Sequence, residues 1–114
     1  MALPKLPETT KVLGEEFRIE VPETLLDEDG EELYGDTDGI RRRFRVAGEQ
    51  GSVRIWTTFL HEYLHGVLYV NGVANVISEE LQEIIVQSME HGFIQFMDQH
   101  GDILMRAVRE GKKK

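Results

Sequence analysis

Two histidines and a glutamate are spaced as the ligands and base of a metal site. In His61-Glu62-Tyr63-Leu64-His65, the histidines are four residues apart and the glutamate directly follows the first. Residues four apart share a helix face, so both imidazoles can bind one zinc ion at about 2.0–2.1 Å. Glu62 lies about 100° further round the helix, where it is poorly placed as a ligand but can reach a metal-bound water. The pattern predicts zinc ligands His61 and His65 and general base Glu62.

A third protein ligand is expected on the following helix. The extended metzincin motif would need Gly at 68 and His at 71, and this chain has Leu68 and Asn71. The remaining candidates are three carboxylates of the next predicted helix: Glu79, Glu80 and Glu83. Glu79 and Glu80 also suit the first helical turn, where carboxylates stabilise the helix dipole. Periodicity alone does not choose among the three.

Two core histidines without a metal are the alternative interpretation of the motif. The pattern arises by chance in only about 0.4% of chains of this length. Apolar residues flank it on both sides, which predicts a helix buried on most of its faces. Buried imidazoles need polar partners, and a metal ion supplies them. Metal binding is therefore the favoured interpretation.

The composition limits the kind of metal site and the class of protein. The chain has 114 residues, 21 acidic and 13 basic, a net charge of -8 and no Cys. Without thiolates the ligands must be imidazoles and carboxylates, a set associated with catalytic zinc. The negative charge disfavours nucleic acids and anionic membranes as partners. We expect a soluble cytoplasmic protein with one domain, residues 1–110, and a flexible basic tail, residues 111–114.

The charges are unevenly distributed along the chain. Residues 8–38 have a net charge of -10 and residues 39–54 one of +4. The basic segment includes the predicted strand Arg42 to Val46, which alternates arginines with Phe44 and Val46. At the edge of a sheet this strand would bind an extended peptide, and Arg41, Arg42, Arg43 and Arg45 would favour acidic substrates. Alternatively, these side chains protect an edge strand from aggregation.

Periodicity predicts the elements that position the motif. A half-exposed strand is expected over residues 11–21, and turn-rich sequence, including Gly35 to Gly39, separates it from the strand at residues 42–46. After residue 51 the apolar residues recur at helical spacing. The predicted fold is α+β, a small antiparallel or mixed sheet of about three strands followed by two packed helices.

The first helix is predicted from Ser52, a possible N-cap, to Tyr69, and the second from an N-cap at Ser78 to about Gln99. The second helix is expected to bury its apolar residues: Leu81, Ile85, Met89, Phe93 and Phe96. A short helical piece, Ile103 to Val108, would follow the break at His100-Gly101.

Three stretches of the sequence resemble the small HExxH proteins encoded by tailed bacteriophages and prophages. These are the motif helix Thr57 to Gly66, the glutamate-rich start at Ser78 to Glu83, and Gly92-Phe93-Ile94-Gln95-Phe96-Met97, which is similar to that family's "GLYQLL" end. The second helix of that family typically carries a pair of glutamates before the "GLYQLL" end. Aligning this end with residues 92–97 places the first glutamate of the pair on Glu83, so the resemblance implies Glu83 as the third ligand. The second glutamate of the pair corresponds to Ile84 and the tyrosine of the end to Ile94, so their roles are absent here. The resemblance implies a minimal zincin-like metallopeptidase domain.

Two functions are compatible with these residues. The first is a zinc-dependent peptidase acting on a peptide or protein substrate, with Tyr69, His91 or His100 as candidate oxyanion stabilisers. The second is a non-catalytic phage accessory or interaction protein, stabilised by the metal, that binds a basic partner through its acidic segment.

Overall fold

A computed structural model describes residues 2–112 as a mixed sheet followed by two helices. The strands are β1 (Thr9–Val12), β2 (Glu15–Glu20), β3 (Gly35–Asp38) and β4 (Arg43–Val46). The helices are α1 (Ser52–Val70) and α2 (Glu79–Lys112), separated by a 3-10 helix at Val73–Asn75. This is the predicted α+β class, with four strands instead of about three.

The strand order corrects the predicted position of the basic strand. The order is β1-β2-β4-β3, with β4 parallel to β2 and antiparallel to β3. The segment Arg42 to Val46 was predicted as an edge strand, and this prediction is wrong because β4 has a neighbour on both sides. The edge next to β4 is formed by β3 instead. The predicted alternation within β4 is confirmed, since Phe44 and Val46 are buried and Arg43 and Arg45 lie on the other face.

Two segments were assigned to the wrong local structure from the sequence. Residues 11–21 form most of the β1–β2 hairpin and not one strand, because Leu13 and Gly14 both adopt positive φ, 49° and 87°. A two-residue turn with this backbone joins strands tightly, and its usual Asn-Gly signal is absent. The segment Gly35 to Asp38 was predicted as a turn and is a strand. Its two aspartates lie opposite Arg45 and Arg43 of β4, which favours pairing.

Helix α1 packs closely on the sheet through a glycine. The core consists of buried residues from three strands and the helix: Val12, Phe17, Ile19, Phe44, Val46 and Phe59. The rings of Phe17 and Phe44 stack at 4.6 Å. A Cβ on Gly66 would lie 2.6 Å from Cζ of Phe44, so only glycine permits this approach. Ser52 is not the N-cap: Gly51 takes that position, and the Ser52 hydroxyl accepts the N–H of Leu3 at 3.0 Å.

Helix α2 is one continuous helix of 34 residues. The predicted break at His100-Gly101 and the separate piece Ile103 to Val108 are wrong, because one helical glycine costs only about 1 kcal/mol. Ser78 is the predicted N-cap, and its hydroxyl accepts the N–H of Leu81 at 3.1 Å.

Burial on α2 differs from the predicted apolar stripe. The helix buries only Gln82 and Val86, and most of the predicted apolar set is exposed: Leu81, Met89, Phe93 and Phe96. Gly111 and Lys112 of the predicted tail belong to α2, and residues 113 and 114 lie outside the described residues. No helix within residues 2–112 is both long and apolar enough to cross a membrane.

Candidate metal centre

The structure brings together the two motif histidines and one of the three candidate carboxylates. Nε2 of His61 lies 3.3 Å from Oε1 of Glu83, and Nε2 of His65 contacts the same oxygen. Within residues 2–112, His61, His65 and Glu83 form the one group of three potential ligands whose donor atoms all lie within 4.8 Å of each other. Glu79 and Glu80 are not members of this group.

The separation of the donor atoms suits a metal ion of the size of zinc. Ligand atoms at about 2.0–2.2 Å from a tetrahedral zinc are roughly 3.3 Å apart. His61 and Glu83 have this separation, whereas the His65 contact with Glu83 is shorter and would open on binding. The donor set of two imidazoles and one carboxylate is one that zinc enzymes use. The residues present therefore fit a zinc ion.

Both histidines are oriented by a second contact through the opposite ring nitrogen. Nδ1 of His61 lies 3.0 Å from Oε1 of Glu90, and Nδ1 of His65 lies 2.5 Å from Oε1 of Gln82. A carbonyl or carboxylate oxygen only accepts, so each Nδ1 must carry the proton. With the proton on Nδ1, each ring can present its Nε2 lone pair to a cation bound between the rings and Glu83, as metal ligands require, whereas a direct hydrogen bond to Glu83 needs a proton on Nε2 as well.

Glu62 points into the same cleft from the buried side of α1. Its side chain is buried, and its Oε1 accepts a hydrogen bond from the Thr37 hydroxyl at 2.9 Å. Burial raises the pKa of Glu62, an effect that the Thr37 hydrogen bond and the two histidines only partly oppose. The approach of β3 depends on Gly35, where a Cβ would lie 2.8 Å from the Thr58 methyl and 3.1 Å from Cγ of Glu62.

The histidine closest to Glu90 has a shifted pKa. Burial by itself lowers the pKa of His61, but the hydrogen bond to Glu90 and the negative charges of Glu62 and Glu83 outweigh it. The pKa of His61 is therefore raised. The surroundings of the three potential ligands are electrostatically suited to a cation.

The three groups open into a cleft between β3, α1 and α2. The cleft has a volume of about 670 Å³, and its walls include Gly35, Thr37, Glu62 and Tyr69. It continues into a second cavity of about 690 Å³, because Leu33, Tyr34 and Arg54 line both. At this boundary the Arg54 guanidinium lies 4.6 Å from the centre of the Tyr34 ring.

The four arginines near β4 are engaged within the sheet. Arg41 and Arg43 contact Asp38, at 3.0 and 3.8 Å, and Arg45 pairs with Asp36. Arg42 donates to the Gly39 carbonyl at 2.6 Å, and its guanidinium lies over the Phe17 ring. These contacts do not favour the predicted role in binding acidic substrates.

Three residues of the centre were not identified from the sequence: Thr37, Gln82 and Glu90. Glu90 is seven residues after Glu83, two helical turns along the same face, and this spacing was an available signal. Gln82 gives no signal beyond its position beside Glu83. Thr37 lies on a strand that was predicted as a turn. Of the candidate oxyanion stabilisers, Tyr69 lines the cleft, whereas His91 and His100 do not.

Comparison with known proteins identifies no relative: no family model, curated protein or solved structure matches this chain. The assignment of a function therefore depends on the geometry of the cleft and on the residue patterns.

Proposed function

We propose that this chain is a zinc-dependent peptidase of the phage-encoded HExxH type, in which His61, His65 and Glu83 bind the metal. The observation that carries the proposal is the orientation of the histidines, with both Nε2 atoms directed at one carboxylate and both Nδ1 atoms held by other oxygens. Two histidines without a metal would also share Glu83, as protonated rings that donate from both nitrogens. The same convergence is the arrangement of three ligands around one ion, and together with the His61-Glu62-x-x-His65 spacing it supports a metal site. We further propose that the protein acts in the cytoplasm of a bacterial host.

The proton transfer is assigned to Glu62. Zinc in this site would polarise a peptide carbonyl and lower the pKa of a neighbouring water. Oε1 of Glu62 accepts from Thr37, which leaves Oε2 to take a proton from the attacking water and return it to the departing nitrogen. A raised pKa suits a carboxylate that must hold this proton between the two steps.

The free edge of β3 is proposed to hold the substrate. The N–H of Ala47 donates to the Tyr34 carbonyl at 2.8 Å, and Gly35 is paired with Val46 in the next register position. Because hydrogen-bonded and non-hydrogen-bonded pairs alternate, the backbone groups of Gly35 and Thr37 point away from β4. An extended peptide can pair with them by strand addition, which brings its backbone alongside Glu62.

The substrate is proposed to carry basic side chains beyond the scissile bond. The second cavity is lined by Glu23, Glu31, Glu32 and Glu49, with Arg54 at its entrance. Within residues 2–112, none of these glutamates forms an ion pair. A peptide that extends along β3 past Tyr34 would enter this cavity. A lysine or arginine of the peptide would there form ion pairs with the glutamates, which would compensate for the water that both groups lose.

Glu62→Gln separates metal binding from turnover. We expect this variant to bind one equivalent of zinc like the natural chain but to lose hydrolysis of a library of lysine-containing peptides by at least about 100-fold. Glu80→Gln, an exposed glutamate of α2, is the matched control and should retain full activity. Equal hydrolysis by Glu62→Gln and the natural chain would contradict the proposed base.

A non-catalytic interaction protein is the second candidate function. It is favoured by the acidic loop at residues 23–32, whose carboxylates form no ion pair within residues 2–112. In that case zinc would raise the melting temperature, chelation would abolish binding of a lysine-rich protein, and no peptide of the library would be cleaved. Zinc-dependent cleavage that is lost in Glu62→Gln would exclude this candidate.

A further inference from the structure

Helix α2 exposes a wide apolar face that begins at residue 89 and runs through the second half of the helix. The face consists of Met89, Phe93, Phe96, Ile103, Leu104 and Val108, which we call the α2 apolar face. Five of these side chains are 42–64% exposed, and Leu104 is half-buried. Single exposed apolar residues are ordinary, whereas a stripe of six over five helical turns, interrupted only at His100, is typical of a surface that another chain covers.

The geometry of the two helices explains why this face has no cover within the chain. Helix α1 has 19 residues and α2 has 34, about 28 Å and 51 Å in length. Contacts from α2 to α1 are made at Gln82, Glu83 and Glu90, in its first half. No hydrogen bond or ion pair of the described residues joins residues 91–109 to another element. The helix thus continues past α1 into solvent.

An isolated helix of this length and composition is marginally stable in water. Helices shorter than about 12–15 residues are rarely stable alone, and even longer ones depend on packing of an apolar face. Residues 91–112 contain three glycines, each of which costs about 1 kcal/mol relative to alanine. A Cβ at Gly92 would meet nothing within 4 Å, so no packing inside the chain explains that glycine. Cover from another molecule would stabilise the helix.

We propose that the α2 apolar face binds the same face of a second copy of this chain, with the two helices antiparallel. The apolar residues follow Val86 at alternating steps of three and four, to Met89, Phe93 and Phe96, and resume at Ile103. This spacing keeps one stripe along a helix and is the pattern by which two helices pack along their lengths. The stripe continues the surface by which Val86 is already buried within the chain.

The charges select both the partner and the orientation. Residues 1–90 contain 18 acidic and eight basic side chains, a net charge of -10, whereas residues 91–112 contain three of each. Two acidic copies therefore repel least when they meet through this neutral segment. Along α2 the exposed acids Glu79 and Glu80 lie at the start of the helix, on the side of the acidic body, and its three bases lie at the end, at Arg106, Arg109 and Lys112. Antiparallel helices bring the basic end of one copy toward the acidic half of the other, and they keep the two acidic bodies apart.

The size of the face is compatible with a dimer. Large apolar side chains that expose 42–64% of their surface provide on the order of 500 Å² per copy. A standard interface buries roughly 800 Å² per partner, and the polar residues beside the stripe would supply the remainder.

Sedimentation equilibrium of the full chain tests this interface. We expect a mass of twice 13.1 kDa at tens of micromolar, which falls toward 13.1 kDa on dilution. Phe96→Lys should shift the dimer to monomer, raising the dissociation constant by at least about 100-fold. Gln95→Lys adds the same charge on the opposite side of the helix and is the matched control, which should remain dimeric. A monomer at every concentration, or equal effects of the two variants, would overturn the proposal.

Two further measurements keep the test independent of misfolding and of orientation. Each variant must unfold cooperatively on heating at a concentration where it is monomeric; if Phe96→Lys does not, Ile103→Lys, at the 64% exposed position, takes its place. The chain has no Cys, so single cysteines at Gln99 and Arg109 can be spin-labelled. In antiparallel helices that cross near the middle of the face, labels at residue 99 should be close together and those at 109 about 30 Å apart. Short distances at both positions would contradict the antiparallel arrangement.

Discussion

The first half of α2, residues 79–95, and the second half, residues 96–112, differ in the side chains that they cover. In the first half, Gln82 is buried and Glu90 is mostly covered, whereas the second half buries no side chain and exposes Phe96, Ile103 and Val108. Burying polar groups and exposing apolar ones both cost free energy, so a buried polar side chain or an exposed apolar stripe indicates a functional role. The difference suggests that the first half serves the cleft and the second half serves an interface. Matched substitutions in the cleft and along α2 test this difference.

Removal of a histidine should give the largest difference between cleft and interface. His61→Ala removes a proposed ligand, so we expect zinc affinity to fall by more than about 100-fold, beyond the effect of losing an outer partner. His100→Ala makes the same change on the second half of α2, where the ring packs on Phe96 at 5.1 Å, and should leave zinc affinity unchanged. Calorimetric titration of both variants with zinc checks this. Equal zinc affinities of the two variants would indicate that the motif histidines are structural and do not bind the metal.

Removal of the partner of His61 should have an intermediate effect. Glu90→Gln preserves shape but weakens the acceptor for Nδ1 of His61, and we expect zinc affinity to fall by about 10–100-fold with the fold intact. Competition with a chromophoric chelator measures the constant, and circular dichroism measures the fold. Glu80→Gln, exposed one turn before Glu83, is the control. A loss of affinity shared by both variants would indicate a general charge effect and not positioning of His61.

A valine-to-alanine pair compares packing in the two halves. Val86 is fully buried, so Val86→Ala should reduce the free energy of unfolding by about 2 kcal/mol. Val108 is 42% exposed, and Val108→Ala should reduce it by less than about 0.5 kcal/mol in the monomer. Urea unfolding at low protein concentration provides both values. If Val108→Ala were as destabilising as Val86→Ala, the second half would be packed within the chain.

The smallest expected effect concerns the turn after β3, the strand that supplies the other wall of the cleft. The backbone N–H and the guanidinium of Arg41 hold the pKa of Asp38 below its ordinary value of 3.8. A carboxylate with a lowered pKa stabilises the fold above its unfolded pKa, and this contribution is lost as the pH falls through its folded pKa. Asp38→Asn should therefore be slightly less stable than the natural chain at pH 7, and the difference should shrink below about pH 4. Urea unfolding at pH 7 and pH 3 measures it, and a difference that stays constant with pH would contradict the assignment.

The sequence predicted those parts of the fold that depend on periodicity. Helix α1, the cap at Ser78 and the alternation of β4 are local patterns, and the structure has all three. The position of β4 inside the sheet was not accessible, because strand order is decided by pairing between distant residues. The strand β3 was missed for the same reason: Gly35, Asp36 and Asp38 are typical of turns, and only the arginines opposite them favour a strand.

The candidate site divides in a similar way between local and distant information. His61, Glu62 and His65 form a local motif, and their common face follows from helix geometry. Glu83 was chosen over Glu79 and Glu80 through a resemblance, and it is the carboxylate that the structure brings to both histidines. Gln82 and Glu90 depend on how α2 rotates against α1, and Thr37 depends on the sheet. No pattern along one helix specifies these contacts.

The contact of Gly66 with Phe44 couples the core of the protein to its chemistry. Gly66 directly follows His65, and its missing side chain allows α1 to rest on the ring of Phe44. Any larger residue would push α1 away from the ring of Phe44 and shift the adjacent His65 with it, so the core and the position of a proposed ligand would change together. Mutations in the two regions cannot then be accepted independently during evolution. The absence of a side chain at residue 66 thus constrains both the packing of the core and the position of His65.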